Sequence, residues 1–293
     1  MALLNPQNFR KLVAIGLRDR KKIFCCHATG FLIGFISKNS KDVTKRRYYI
    51  FLATNRHVFE DKKYVELRLN TIDGKTKIFE QGLIFSNGEN RWLAHRNKKI
   101  DLALLNVSPQ VLQEHKVIYG FFPQETFAYY RNFQKIGIAA GDDLYVLGFP
   151  MGIAGEIQNC ACVKMGIISR IDQEIMRESK AFLIDSSIFP GNSGSPVIFK
   201  PTMTSLEGTK AINQAYLLGI VSRYLPYEEQ LYTHQTNPPT VVSLERENSG
   251  LSFVVPMDFA HQIFNHWIVT KKQLEKAQKQ IENQPAQGIK ASL

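Results

Sequence analysis

Long apolar runs are missing from this chain. No segment approaches the roughly 18 consecutive apolar residues that a membrane helix requires, and the opening MALLNPQNFRKLVAIGLRDRKK has neither the apolar core nor the small-residue cleavage site of a secretory leader. The expectation is a cytoplasmic protein with no membrane span. Internal repeats and low-complexity tracts are also absent, which excludes solenoid and fibrous architectures. Cysteine is scarce: Cys25 and Cys26 form a vicinal pair, and Cys160 and Cys162 a C-x-C. Neither spacing has the two-residue gap of a zinc knuckle. A four-thiolate site would need the two pairs to meet in space, so the expectation is buried free thiols, no metal and no cofactor.

What is present describes a folded protein. Of 293 residues, 44% are hydrophobic and 22% charged, which excludes a disordered chain and leaves room for one large domain or two ordinary ones. The formal charge is +11, and it is unevenly placed. Residues 1–47 carry +9 and residues 271–293 carry +3, so the intervening body is close to neutral at −1. Such ends suit docking to acidic partners better than they suit any particular chemistry.

Short apolar or alternating runs fill most of the chain: FLIGFIS (31–37), YYIFLAT (48–54), YVELRLN (64–70), LALLNV (102–107), LYVLGF (144–149), VKMGIIS (163–169), AFLID (181–185), SPVIF (195–199), AYLLGIVS (215–222) and LSFVVP (251–256). Turn formers or charges separate most of them, such as Asp73-Gly74, Asn87-Gly88 and Gly141-Asp142. Many short strands without alternating helices predict an all-β sandwich or barrel rather than a parallel doubly wound sheet. Near the C-terminus Phe259, Ile263, Phe264 and Trp267 recur at helical spacing, with Asp258 placed as an N-cap, which predicts a closing helix followed by a frayed tail beyond about Lys272.

One octapeptide stands out. In Phe189-Pro190-Gly191-Asn192-Ser193-Gly194-Ser195-Pro196, two glycines flank Ser193 ahead of a strand. A tight loop of this kind can aim successive backbone N–H groups at one point while exposing the serine oxygen, which is what an acyl-transfer nucleophile needs. Serine at its free pKa is a weak nucleophile and needs a base, itself oriented by a carboxylate. His57, just past an apolar strand, and Asp101, at the mouth of another, supply those types. Taken singly each also fits an ordinary half-buried histidine or a strand-entry acid; their conjunction with Ser193 points to chemistry.

Thr54-Asn55-Arg56-His57-Val58, Asp101-Leu102-Ala103-Leu104-Leu105 and Gly191-Asn192-Ser193-Gly194-Ser195-Pro196, in the order His, Asp, Ser, resemble the catalytic motifs of trypsin-like serine peptidases, most closely the HtrA/Deg type. The order differs from that of α/β-hydrolases, Ser, acid, His. Ala28-Thr29-Gly30, Leu147-Gly148-Phe149-Pro150, Leu218-Gly219-Ile220-Val221-Ser222 and Ser252-Phe253-Val254-Val255-Pro256 extend the similarity.

The resemblance implies two six-stranded antiparallel barrels with a C-terminal helix, divided as a basic N-terminal extension (1–22), a two-barrel domain (23–270) and a polar, basic tail (271–293), without a PDZ module. It implies a serine endopeptidase acting on polypeptides through His57, Asp101 and Ser193, with Gly191, Asn192 and Ser193 forming the oxyanion hole and Ser222 supporting Asp101. Ser187, Ile188, Gly219, Arg223, Tyr224 and Ser252 match substrate-pocket positions. Ser187, rather than an Asp, at the pocket floor argues against cleavage after Lys or Arg, and Tyr224 narrows the pocket towards small or medium apolar side chains. Asn192, where digestive relatives have Asp, argues against activation by a new amino terminus. The stretches 207–214 and 226–250 read as polar insertions suited to lids or to a regulatory protein partner. Two other classes stay open: a catalytically silent peptide-binding scaffold of the same fold, and a nucleic-acid-associated protein using Arg18, Arg20, Lys21, Lys22 and Lys45-Arg46-Arg47 with Tyr48 and Tyr49.

Overall fold

A computed structural model describes residues 4–42, 45–202, 208–233 and 240–282. The first half builds one curved sheet from β1 (Leu12–Arg18), β2 (Phe24–Lys38), β3 (Arg47–Thr54), β4 (Tyr64–Asn70), β5 (Thr76–Gly82), β6 (Trp92–Ala94) and β7 (Ala103–Asn106), in the order β5-β4-β1-β2-β3-β7-β6. A two-residue strand, β8 (Phe122–Pro123), pairs in parallel with β2. The second half closes into a six-stranded barrel from β9 (Asp143–Gly148), β10 (Cys162–Arg170), β11 (Phe182–Asp185), β12 (Pro196–Phe199), β13 (Leu217–Thr233) and β14 (Thr240–Pro256). The two-barrel plan holds, with a different count in the first barrel. Seven strands lie along its path, and beyond its two edges the connection between β5 and β6 is pinned by an isolated Ile84–Asn90 bridge and by the Arg91 N–H on the Leu83 carbonyl (2.9 Å).

Burial explains which strands were easy to read. On β2, Leu32 faces the interior of the first barrel with Val13, Ile15, Leu52 and Leu105, while Phe31, Ile33 and Phe35 face the other way, into a shared core with Leu147, Phe149, Ile198 and Val255 of the second barrel. Strands covered on both faces become continuous apolar runs. The second barrel has its own interior around Val146, Phe182, Ile184, Val197, Leu218 and Val254. The closing helix (Met257–Glu282) lays Phe264 flat against Phe35, with centroids 4.2 Å apart and planes 6° off parallel, and sets Trp267 edge-on to Phe51. It thereby packs one barrel against the end of the other's last strand.

Several expectations are corrected. Residues 12–18 are no extension: β1 lies between β2 and β4, with Leu12, Val13, Ala14 and Ile15 buried. Its basic neighbours are partly spent inside the fold. The Arg18 guanidinium reaches the buried Glu66 carboxylate (3.3 Å), and Lys11 sits 3.9 Å over the Phe122 ring, where burial pushes its pKa down to about 8. Arg46 pairs with Glu125 at 2.6 Å.

The closing helix runs to Glu282 rather than fraying near Lys272, and it starts at Met257, so Asp258 lies inside its first turn and accepts from the Tyr130 N–H (2.7 Å). The cysteines are free but not buried: Cys160 is exposed, and Cys25, Cys26 and Cys162 are half-buried. Of the 226–250 stretch, residues 226–233 and 240–250 pair as an arm continuing β13 and β14, while Glu207 and residues 234–239, with Pro238-Pro239, lie outside the described residues. Among the described residues no helix is long and apolar enough to cross a membrane.

The placement of β1 gives a direct test. Removal of residues 1–18 takes a central strand from the first barrel, so the truncated protein is expected to lose its cooperative thermal transition in circular dichroism, whereas a dispensable extension would leave the melting temperature nearly unchanged.

Candidate active site

His57 lies in α1 (Arg56–Phe59), a single turn begun directly after β3. Asn55, fully buried at its N-cap, does not cap the helix with its side chain; its Nδ2 donates to the Asp101 carbonyl (2.9 Å) and so ties the end of β3 to the loop entering β7. That tie brings Asp101 under the imidazole. His57 Nδ1 lies 2.8 Å from Asp101 Oδ2, and the His57 N–H donates to Oδ1 at 3.1 Å. An ionised carboxylate only accepts, so Nδ1 carries the proton of this hydrogen bond, and in the neutral ring the lone pair is left on Nε2. The Ser222 hydroxyl, buried at the end of the barrel segment of β13, donates to the same Oδ2 at 2.8 Å. Burial pushes the Asp101 carboxyl up, but the His57 hydrogen bonds, with Ser222 beside them, outweigh it and hold its pKa below the ordinary carboxylate value.

The 189–194 loop reaches this group from the second barrel. Thr29 on β2 is its anchor: the Thr29 N–H donates to the Ser193 carbonyl (2.9 Å), its Oγ1 donates to the Gly191 carbonyl (2.7 Å), and the same Oγ1 accepts from the Phe149 N–H (3.0 Å). Thr54, three residues before His57, donates its hydroxyl to the Thr29 carbonyl at 2.8 Å. Gly194 has φ +82°, and a Cβ there would lie 2.1 Å from the Thr29 carbonyl and 3.2 Å from the Thr54 Cα. Only glycine allows that approach, which places the serine loop against the strand end that carries His57. Ser193 is half-buried, and its hydroxyl makes no hydrogen bond among the described residues. Nucleophile–base contacts in unliganded sites commonly tighten only on substrate binding.

The backbone of the loop is turned in a defined way. Gly191 has φ +97°. The Met151 N–H holds the Pro190 carbonyl at 2.6 Å. Because the peptide is planar and trans, fixing that carbonyl on one side sends the Gly191 N–H to the other. Among the described residues neither the Gly191 nor the Ser193 N–H has a protein acceptor. Asn192 is different: its N–H is spent on the Phe189 carbonyl (2.9 Å) and its Oδ1 accepts from the Phe189 N–H (3.2 Å), so it does not join the two donors.

The substrate-pocket residues are only partly gathered. Gly219 is paired on both sides, to Val197 and to Pro256, and so presents no free edge. Ser252 is fully buried with its hydroxyl on the Ser186 carbonyl (2.9 Å), and Ile188 is buried with its carbonyl taken by Asn248 Nδ2 (2.6 Å). Ser187, Arg223 and Tyr224 are exposed; the Ser187 carbonyl receives the Lys164 ammonium (2.5 Å), and the Arg223 guanidinium covers the Phe253 ring. Sequence reasoning assigned no role to Thr29, Asn55 or Met151. Their partners lie far along the chain, and only Asn55, a polar residue after an apolar strand, offered a local hint.

A family model described as a trypsin-like peptidase domain matches residues 28–200, more than half of the chain. That match, on a chain built of two β-barrel halves, places the chain in the trypsin-like peptidase family. No curated protein sequence matches it.

The Asp101 environment predicts an acid limb of stability. Because the folded pKa lies below the ordinary value of about 3.9, the ionised carboxylate stabilises the fold above that pH, and the contribution is lost as pH falls through the folded value. Urea titrations from about pH 6 downward are expected to show a steeper loss for wild type than for Asp101→Asn, with Ser222→Ala losing less than wild type over the same range because its folded pKa lies nearer the unfolded one.

Proposed function

We propose that the chain is a serine endopeptidase with a catalytic domain of the HtrA/Deg type. Ser193 attacks the scissile carbonyl, His57 takes its proton at Nε2 and returns it to the leaving amine, and Asp101, steadied by Ser222, holds the tautomer and balances the imidazolium. The Gly191 and Ser193 N–H groups receive the oxyanion, each worth about 2.7–4 kcal/mol by the usual cost of removing one donor. The acyl-enzyme is then hydrolysed by water through the same base. The single observation that carries this reading is the His57–Asp101–Ser222 hydrogen-bonded unit beside a glycine-turned serine loop with two uncommitted N–H groups.

The substrate lies as an extended strand along β13, antiparallel to it, with the residue preceding the cleaved bond opposite Ser222 and the third upstream residue opposite Tyr224. An uncharged Ser187 and the Lys164 ammonium on its carbonyl disfavour a cationic side chain before the cleaved bond, which leaves small or medium apolar residues as the preference. The free thiols accord with a reducing compartment such as the cytoplasm.

A fluorophosphonate probe tests the reading. Wild type is expected to be labelled on Ser193, Ser193→Ala not at all, and His57→Ala at least about a hundredfold more slowly. Folded wild-type protein that takes up no more probe than Ser193→Ala would contradict it.

A further inference from the structure

β13 continues past the barrel that it closes. As far as Val221 both of its edges are occupied: β12 pairs up to Ile220, and the serine loop exchanges bonds with Val221 through the Gly194 N–H (3.0 Å) and the Ser195 carbonyl (2.9 Å). From Ser222 outward β14 stays on one side, through Tyr224–Ser252, Pro226–Asn248, Tyr227–Glu247, Glu228–Arg246 and Glu229–Glu245. Along residues 222–229 no described residue pairs with the other edge, and residues 223–229 are exposed. An open strand edge is a template for another extended chain. This one is the outward continuation of the edge to which the proposed reaction brings its substrate.

The arm has two unlike faces. On one, Arg246 neutralises Glu228 at 2.8 Å. On the other, Glu229 stands directly opposite Glu245, and Glu247 is one pair further along, opposite the exposed Tyr227. Like charges directly opposite each other weaken a strand pair. Here three carboxylates share one face with no cation paired to them among the described residues, in a chain of net charge +11.

We propose that the hairpin arm extends the substrate cleft: a polypeptide paired with Ser222 and Tyr224 runs on along the open edge of β13, and Lys or Arg side chains upstream of the cleaved bond meet Glu229, Glu245 and Glu247 over the Tyr227 ring. From Tyr224 to Glu229 the strand advances about 17 Å, which sets the basic positions roughly six to eight residues before the cleaved bond. The substrate class is therefore an extended segment, basic upstream and apolar at the cut. This rests on the protease reading for its register but not for the binding itself.

The test uses a matched pair of long unstructured peptides, identical around the cut, with Lys in one and Glu in the other at those upstream positions. Wild type is expected to cleave the Lys peptide with kcat/KM at least about threefold higher, the ratio falling as salt rises and collapsing in the exposed triple variant Glu229→Gln/Glu245→Gln/Glu247→Gln, which still cleaves a short peptide lacking the upstream segment at the wild-type rate. Cleavage with no charge preference, or a preference that survives in the triple variant, overturns the arm's role and leaves the protease reading intact. Fluorescence anisotropy with Ser193→Ala separates the two ideas further. If neither peptide is cleaved, yet Ser193→Ala binds the Lys peptide more tightly and loses the difference on adding the triple substitution, the arm's role stands and the protease reading falls. Equal binding of both peptides overturns the inference.

Discussion

The Thr29 hydrogen bonds to the serine loop are the constraint on which the rest of the site depends. Two barrels with separate interiors have no intrinsic reason to hold a histidine from one and a serine from the other in register. Thr29 supplies it with backbone and side chain together, binding the Ser193 and Gly191 carbonyls and the Phe149 N–H from one position, while its own carbonyl is held by Thr54 at the root of the histidine turn. The Thr29 hydroxyl and its bonds to Gly191, Phe149 and Thr54 are buried, so leaving one of these groups unpaired costs about 1–3 kcal/mol, a large fraction of the stability of an ordinary domain. The apolar layer between the barrels, with Phe31 and Phe35 on one side and Leu147 and Phe149 on the other, keeps the region dry and makes the polar contacts specific.

Electrostatics then follow from position. Asp101 is a carboxylate in a mostly buried setting, stable as an anion because three donors converge on it: the His57 ring, the His57 backbone and Ser222. The imidazole is thereby fixed in orientation and tautomer before any substrate arrives. The loop on the other side is fixed by Met151, which turns the Pro190–Gly191 peptide so that its N–H faces away from the held carbonyl. Preorganisation of this kind is what an acyl-transfer site requires, because the donors need not reorient when charge develops.

Much of the fold was legible because strands buried on both faces leave apolar runs, as at residues 48–54, while β4 shows as an alternation in which Val65, Leu67 and Leu69 line the first barrel's interior. β5 was not, since Thr76–Gly82 is half-exposed and mixed in character, and β1 was masked by the charges that follow it although its LVAIGL core is apolar. The hairpin arm read as an insertion because a two-stranded ribbon in water has no face to bury and so no hydrophobic period. At the site, residue types and order sufficed to nominate His57, Asp101 and Ser193, and the family resemblance added Ser222; all four sit in local motifs. What could not be read is where each backbone group is spent: that Asn192 gives its N–H to Phe189, that Gly219 is paired on both edges, and that Thr29 binds a loop 162 residues away. Those facts belong to the tertiary fold, and no local pattern encodes them.

Thr29 assembles the site across the two barrels. Thr29→Val keeps the shape of the side chain and removes only its hydroxyl. The decisive measurement is the rate of phosphonylation of Ser193 in this variant, at a temperature where near-ultraviolet circular dichroism shows the variant as fully folded as wild type. The expected rate is at least about tenfold below wild type, equivalent to about 1.4 kcal/mol of lost positioning. A folded Thr29→Val that reacts at the wild-type rate would contradict this role of Thr29.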